Sequence, residues 1–467
     1  MLKAQKIYMI GIKGVGMTML AQFLAKNGNK ITGSDIDEKF MTDKILKKSG
    51  AKVIEKFNAK NIPSDTDLIV YSSAYNIANN PEVEFALSQR KIKVLSYAPA
   101  LAKIFNGKYG IAVTGSHGKT TTTAWLGYIL EKAGKDPSVM VGSHVPQFEG
   151  ASLSGKSNYL VIEADEYQNK LAYFHPKVVL LNNIDYDHPD YFKTKNEYKN
   201  VFIEFIKKIP KKGFLVANWD DNVIKKMMPI CCGENCGCKM ITYGINRKAN
   251  YIAQDIKHKN NKQYFSVKLR GDGDLGNFCI QLLGRHNIYN ALAVIATCVE
   301  LEVELTDIRK YLEEFSGTER RTEIIGEYKG ATVFDDYAHH PTEVKATFSG
   351  ISENYPKNKI TVVFHPHTFS RTKALLEDFA KSFNNADEVI ILDIYGSARE
   401  KHGGISSKDL VDRIKKQKDK NSKQKIIHIS DFKKCEEYIR KNAKKNDVII
   451  LMGAGDVFKI GKTLIKK

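Results

Sequence analysis

Short apolar runs alternate with longer amphipathic stretches along almost the whole chain, and most runs stop at small, polar or acidic residues. That alternation predicts parallel strands buried on both faces, with helices crossing over between them. Residues 6–12 read as a first strand, followed by a helix through Leu20, Phe23 and Leu24, and residues 30–34 and 67–74 read as the next strands. A second series starts at 109–113 and continues at 159–166 and 178–185. Between 249 and 283 apolar and polar positions alternate, which predicts antiparallel strands; a helix is expected from about 287 to 301. After the link Ser316-Gly317-Thr318, a third series places strands at 331–334, 360–364, 388–392 and 447–452. The expected fold class is α/β, in three tandem domains over 1–106, 107–317 and 318–467, the first and last Rossmann-like. Open sheets of this kind bind ligands at the carboxyl ends of their strands, so the residues that end the runs carry the chemistry.

The segment Val113-Thr114-Gly115-Ser116-His117-Gly118-Lys119-Thr120-Thr121-Thr122-Thr123 joins one such strand to a helix that starts near Ala124-Trp125-Leu126. A glycine-rich turn in that setting leaves backbone N–H groups free to face phosphate oxygens. Lys119 adds a positive charge, and the Thr120 hydroxyl suits Mg²⁺. The common P-loop has glycine where Val113 stands, and this shorter loop carries His117 inside it. The middle domain is therefore expected to be a P-loop-type domain that binds a nucleoside triphosphate.

Composition narrows the field. A length of 467 residues exceeds one ordinary core, and 42% hydrophobic with 27% charged residues fits a globular protein. No apolar run is long enough to span a bilayer, and residues 1–6 lack the apolar stretch of a signal peptide. A cytoplasmic protein without membrane insertion is expected. The net charge of +19 is spread over scattered lysines without interleaved aromatics, which argues against nucleic acid and suits anionic, phosphorylated substrates. Cys231, Cys232, Cys236 and Cys238 crowd one segment without the paired Cys-x-x-Cys spacing of a zinc site. Reduced thiols in a surface loop and a structural metal remain alternatives there.

Further candidates stand at strand ends. Glu163, Asp165 and Glu166 follow the strand after the phosphate loop, where oxygen ligands suit Mg²⁺. Asp187-His188 ends the next strand. Asn287 and Asn290, three apart, share a helix face and match the donor–acceptor edge of adenine; Asn287 equally suits an N-cap. Arg320-Arg321, the run Asp335 to Glu343 and the run His365 to Thr372 concentrate ionisable groups that would be costly to bury unpaired. Near the amino terminus, Gly11-Ile12-Lys13-Gly14-Val15-Gly16 and Asp35 outline a βαβ unit, although the glycine spacing departs from the dinucleotide fingerprint.

Taken in order, residues 115–121, Glu163 to Glu166, Asp187-His188, Gly284 to Asn290 and Asp335 to Glu343 resemble the motifs of the Mur ligase family of peptidoglycan synthesis. The resemblance covers essentially the whole chain. Gly11, Gly14 and Gly16, Tyr71-Ser72-Ser73-Ala74, His367 with Ser370-Arg371-Thr372, and Asp393-Ile394-Tyr395 with Ala398-Arg399-Glu400 look like the branch that adds L-alanine to UDP-N-acetylmuramate. It implies an ATP- and Mg²⁺-dependent ligation through an acyl phosphate, by a monomer or homodimer. The implied catalytic set is Lys119, Glu163, His188, His339 and Arg321, with Thr120, Glu163 and His188 as metal ligands. ATP is implied at Gly115, Ser116, His117, Gly118, Lys119, Thr120, Thr121, Asn287, Asn290, Arg321 and Asp336. The UDP-sugar is implied at Gly11, Gly14, Gly16, Asp35, Ser72 and Ser73, and the amino acid at His367 and Arg371. The alternative is the recycling ligase that attaches an intact tripeptide, which is less similar at 365–372. Two departures stand out: Lys13 replaces a usual glycine, and Thr368 a frequent arginine.

Overall fold

Three sheets follow one another along the chain. The computed structural model describes residues 5–231, 237–246, 248–271, 273–396, 400, 403–419 and 422–465. Cys232, Cys236, Ala398 and Arg399 lie outside the described residues. The first sheet comprises β1 (Lys6–Ile10), β2 (Lys30–Ser34), β3 (Lys52–Ile54), β4 (Leu68–Tyr71) and β5 (Lys93–Ser96), all parallel in the order β3-β2-β1-β4-β5. The second comprises β6 (Tyr109–Thr114), β7 (Ser138–Val145), β8 (Gly150–Leu153), β9 (Tyr159–Glu163), β10 (Val178–Leu181), β11 (Phe214–Asn218), β12 (Lys239–Gly244), β13 (Tyr251–Lys259), β14 (Lys262–Leu269) and β15 (Asp274–Ile280). Its order is β15-β14-β13-β12-β11-β10-β6-β9-β7-β8, with β13, β14 and β15 antiparallel as the alternating pattern predicts. The third holds β16 (Glu323–Tyr328), β17 (Ala331–Asp336), β18 (Ile360–Phe364), β19 (Glu388–Ile391), β20 (Lys425–His428) and β21 (Val448–Met452), ordered β16-β17-β21-β18-β19-β20. The α/β class and the three-sheet plan follow the sequence reading.

Four strands, β1, β4, β9 and β10, stop two or more residues earlier than the apolar runs suggest. β4 ends at Tyr71 because Ser72 to Tyr75 close a turn, and β10 ends at Leu181 because Asn182 and Asn183 fold beneath the phosphate loop. Short or edge strands such as β3, β8 and β16 carry too little apolar pattern to be read from sequence.

The middle sheet is covered on both faces. The helices Lys119–Lys132 and Arg285–Glu300 bury Trp125, Leu126, Ile129, Ile288 and Leu292 on one side. On the other, Phe202 and Phe205 of the helix Lys195–Ile206 join one apolar cluster with Met9, Leu20 and Phe105 of the first domain. That continuity seats the first sheet on the second, and the buried Gln22 amide oxygen accepts from Ala151 N at 3.0 Å across the same joint. The third sheet keeps a separate core around Phe334, Phe364 and Val389.

The link into the third domain is pinned at its start. Phe315 stacks on Trp125 with ring centroids 5.3 Å apart, and Trp125 Nε1 donates to Leu312 O at 3.2 Å. Such a stack adds about 0.5–1.5 kcal/mol beyond its burial. Gly317, with φ +101°, turns the chain away two residues later. Among the described residues no helix is long and apolar enough to cross a membrane.

Candidate active site

The phosphate loop is shaped by what lies under it. Gly118 caps the helix Lys119–Lys132 with φ +78°, and a Cβ there would sit 2.6 Å from Asn290 Oδ1. Asn183 holds the loop from below, accepting from Ser116 N at its carbonyl (3.1 Å) and from His117 N at its side chain (2.8 Å). Ser116 Oγ donates to Asp185 O at 2.7 Å, so the residues that stop β10 early act as the loop's floor. Neither Asn182 nor Asn183 stood out in the sequence, where they read as the tail of a strand.

Lys119 folds back on its own loop. Its ammonium donates to Gly115 O at 2.6 Å and pairs with Glu166 at 2.9 Å. Burial opposes its charge, but Glu166, Asp165 and Glu163 together raise its pKa. Beside it, Thr120 Oγ1 donates to Glu163 Oε1 at 3.1 Å, and Arg321 reaches across from the third domain to within 3.4 Å of the same hydroxyl. His188, held at φ +58°, brings Nε2 to 3.7 Å from Glu166 Oε1, and ligand atoms of Asp165, Glu166 and His188 lie within 4.8 Å of one another. Two groups of donors therefore flank Lys119: Thr120 with Glu163, and His188 with Glu166 and Asp165.

A cavity of about 420 Å³ opens from the loop between the middle and third domains. Of the residues implied to bind ATP, His117, Gly118, Thr121, Asn287, Asn290, Arg321 and Asp336 line it, whereas Gly115, Ser116, Lys119 and Thr120 are not part of its lining. Two details differ. Gly284, not Asn287, caps the helix Arg285–Glu300, so the capping reading of Asn287 fails. The amides are also already engaged: Asn287 Nδ2 donates to Leu283 O at 2.7 Å, and Asn290 Nδ2 to Asn287 Oδ1 at 3.0 Å. They tie helix to loop. The buried polar atoms in this wall without a partner are instead Asn182 Oδ1, Tyr243 Oη, His286 Nδ1 and Thr318 Oγ1. Tyr243 is the penultimate residue of β12, and its place near a strand terminus is the one signal that could have found it. Asp336 is a buried hub that accepts from Thr322 N at 2.7 Å and Ala338 N at 2.7 Å.

Arg371 also departs from expectation. Its Nε and Nη2 donate to Asp187 Oδ1 and Oδ2 at 2.9 and 3.3 Å, a buried fork that ties the third domain to the middle one. The guanidinium the sequence reading reserved for an amino-acid carboxylate is thus paired here, with Nη1 turned to His367 Nδ1 at 3.0 Å. Thr368, beside it, has φ +66°, an uncommon conformation for a β-branched residue. His339 lies next to this group, 5.9 Å from His367 between ring centroids; burial lowers its pKa to about 4.

In the first domain, Gly11, Gly14, Gly16, Asp35, Ser72 and Ser73 gather at the carboxyl ends of β1, β2 and β4. Asp35 accepts from Lys13 N at 2.7 Å and Ile36 N at 2.9 Å. The Lys13 side chain is buried and runs away from the glycine turn to Glu38 O at 2.8 Å and Glu55 at 3.1 Å.

His117 joins two domains. Its Nε2 faces Asp185 at 3.1 Å and its Nδ1 faces Glu343 of the third domain at 3.2 Å. Burial works against its charge, but hydrogen bonds to Asp185 and Glu343 outweigh it and lift the pKa to about 9. A histidine whose folded pKa is raised stabilises fully below its unfolded value near 6.5 and loses that contribution as pH rises through about 9. The unfolding free-energy difference between the parent and His117→Asn, measured with chelator present, should shrink by about 3 kcal/mol from pH 6 to pH 10. An unchanged difference would contradict the charged bridge.

Three family models match in tandem: "Mur ligase family, catalytic domain" over residues 6–109, "Mur ligase middle domain" over 113–298 and "Mur ligase, glutamate ligase domain" over 320–455. A UDP-N-acetylmuramate–L-alanine ligase of Caldanaerobacter subterraneus subsp. tengcongensis is 41% identical over 474 residues, covering 100% of this chain and 98% of that protein. The enzyme of the same name from Clostridium tetani is 40% identical, covering 99% and 98%. Among solved structures, the UDP-N-acetylmuramate-alanine ligase of Thermotoga maritima superposes with a TM-score of 0.81 at 27% identity, covering 99% of this chain and 98% of that one. A murein peptide ligase from Psychrobacter arcticus shares the fold, with a TM-score of 0.74 at 24% identity and coverage of 99% and 98%. By its three domains and its full-length relatives, the chain belongs to the Mur ligase family.

Proposed function

We propose that the chain joins L-alanine to the carboxylate of UDP-N-acetylmuramate, converting ATP to ADP and phosphate, as a cytoplasmic step of peptidoglycan precursor synthesis. The observation that carries this reading is the approach of Arg321, which lines the interdomain cavity with His117, Gly118 and Thr121, to within 3.4 Å of Thr120 Oγ1, itself bonded to Glu163 and next to Lys119 in the loop. It is supported by relatives of that name at about 40% identity over the full length. Cys279, Cys298 and Cys435 are free thiols, which suits a reducing compartment.

ATP fits the cavity on two counts. Asn182, Tyr243, His286 and Thr318, which line it, each carry a buried polar atom without a partner, and Gly118, where a Cβ would collide with Asn290 and Asn182, keeps the loop backbone bare at the helix N-terminus, the setting in which N–H groups face phosphate. Thr120 Oγ1 and Glu163 would hold Mg²⁺ through oxygen, and His188 with Glu166 or Asp165 would hold a second ion. Bound there, Mg²⁺ neutralises phosphate charge.

The muramyl carboxylate attacks the γ-phosphorus and ADP leaves; the alanine amine then attacks the acyl carbon and phosphate leaves. Both reactants of the first step are anions, so the protein's task is charge neutralisation and alignment. Lys119 exchanges its loop carbonyls for the phosphates, and Arg321 approaches from the third domain. The amine must lose a proton in the second step. His339 is neutral at pH 7, and its Nδ1–H is directed at Tyr337 O, 3.1 Å away, which leaves Nε2 as the basic nitrogen.

The test is phosphate release from ATP and Mg²⁺ in the presence of UDP-N-acetylmuramate and single amino acids or peptides. Release is expected with L-alanine. Release with glycine or serine in preference would change the substrate, and release only with tripeptide would replace this reading by the recycling ligase.

A further inference from the structure

Where the third domain meets the phosphate loop, three ligand atoms converge. His117 Nε2 and His340 Nδ1 lie 3.1 and 3.5 Å from the same oxygen, Asp185 Oδ2, and all three lie within 4.8 Å of one another. In a tetrahedral site with bonds of about 2.0–2.1 Å, ligand atoms stand about 3.3 Å apart. Two of the three edges are near that length before any ion is present.

The remaining ring nitrogens are arranged as metal-bound imidazoles require. A ligating histidine hands its other N–H to a carboxylate or a carbonyl, which fixes its tautomer and orientation. His117 Nδ1 faces Glu343 Oε1 at 3.2 Å, and His340 Nε2 faces Tyr186 O at 3.3 Å. His340 Nδ1 also accepts from Thr342 N at 3.3 Å, a helix-capping bond that ligation would replace. His117 and Asp185 line the nucleotide cavity, so a fourth coordination position opens toward it.

We propose that His117, Asp185 and His340 bind one divalent transition-metal ion of the zinc class, bridging the middle and third domains. Two imidazoles and one carboxylate select such an ion over Mg²⁺, which prefers oxygen. The residues differ from the Thr120, Glu163 and His188 set, and the proposal does not rest on the ligase reading. Binding releases the His117 Nε2 proton to solvent. Because the ligands belong to both domains, the bound ion holds them together and slows any turnover that needs them to part.

Cobalt(II) is the probe. With the full chain and excess Mg²⁺, one equivalent is expected to give the intense visible absorption of tetrahedral cobalt, without the near-ultraviolet thiolate charge-transfer band that the cysteine segment would produce. His117→Asn and His340→Asn should each abolish the visible band; asparagine at 340 still caps a helix. Glu343→Gln keeps all three ligands and should weaken cobalt binding by about 10- to 100-fold. A weak octahedral spectrum, a band that survives both histidine variants, or unchanged affinity in Glu343→Gln would overturn the site.

Discussion

Alanine at Lys119 is expected to lower phosphate release by about 10³-fold or more while leaving UDP-sugar binding within about twofold of the parent. Its ammonium is the cation seated inside the loop, and a single preorganised charge on a transferring phosphoryl group contributes at least as much as one oxyanion-hole donor. The UDP-sugar candidates lie on another sheet, at the ends of β1, β2 and β4, so calorimetric titration with the UDP-sugar separates the two effects. Stability should move as well. Lys119 and Glu166 form a buried pair at 2.9 Å, with the Glu166 side chain 1% exposed. Removing the cation strands that carboxylate, at a cost of about 3–5 kcal/mol. Adding Glu166→Gln should restore much of the stability and none of the turnover. Normal turnover in Lys119→Ala would end the phosphate-loop assignment; full stability in the single variant would end the claim that the pair is needed for folding.

The second large effect concerns Asp187→Ala. Arg371 would then be left as an uncompensated buried cation, because both its Nε and its Nη2 depend on Asp187. The expected loss is again about 3–5 kcal/mol, concentrated in the docking of the third domain onto the middle one. Small-angle scattering should report a larger radius of gyration for the variant without ligands, and urea unfolding should separate into two transitions. If scattering and unfolding match the parent, the fork is incidental to docking.

The sequence carried the fold because parallel strands buried on both faces leave continuous apolar runs, as in Val178–Leu181 and Ile360–Phe364. It also singled out Lys119, Glu163 and Arg321 as candidates, since glycine-rich turns and strand-end charges are local signals. What it did not carry is partnership. Lys119 meets Glu166 across 47 positions, Arg371 meets Asp187 across 184, and His117 meets Glu343 across 226. No local pattern encodes such separations. The partners of Arg371 and Asn287 were hidden for the same reason: each reads in the sequence as a group facing a substrate, and each has a protein partner in the structure. Tyr243 escaped notice because Lys239–Gly244 is a short strand beside a cysteine-rich segment.

The stack of Phe315 on Trp125 fixes a fulcrum. Trp125 belongs to the helix that begins at Lys119, so the last rigid point before Gly317 is bolted to the element that grips phosphate. Beyond Gly317 the link stays tied to the middle domain, with Glu319 N donating to His144 O at 3.0 Å and Ser143 Oγ donating to Glu319 O at 3.1 Å, so the last anchor stands two residues before Arg321. On so short an arm, a swivel becomes a small displacement of one guanidinium. Any rotation of the third domain about this link would therefore displace the arginine beside Thr120 least.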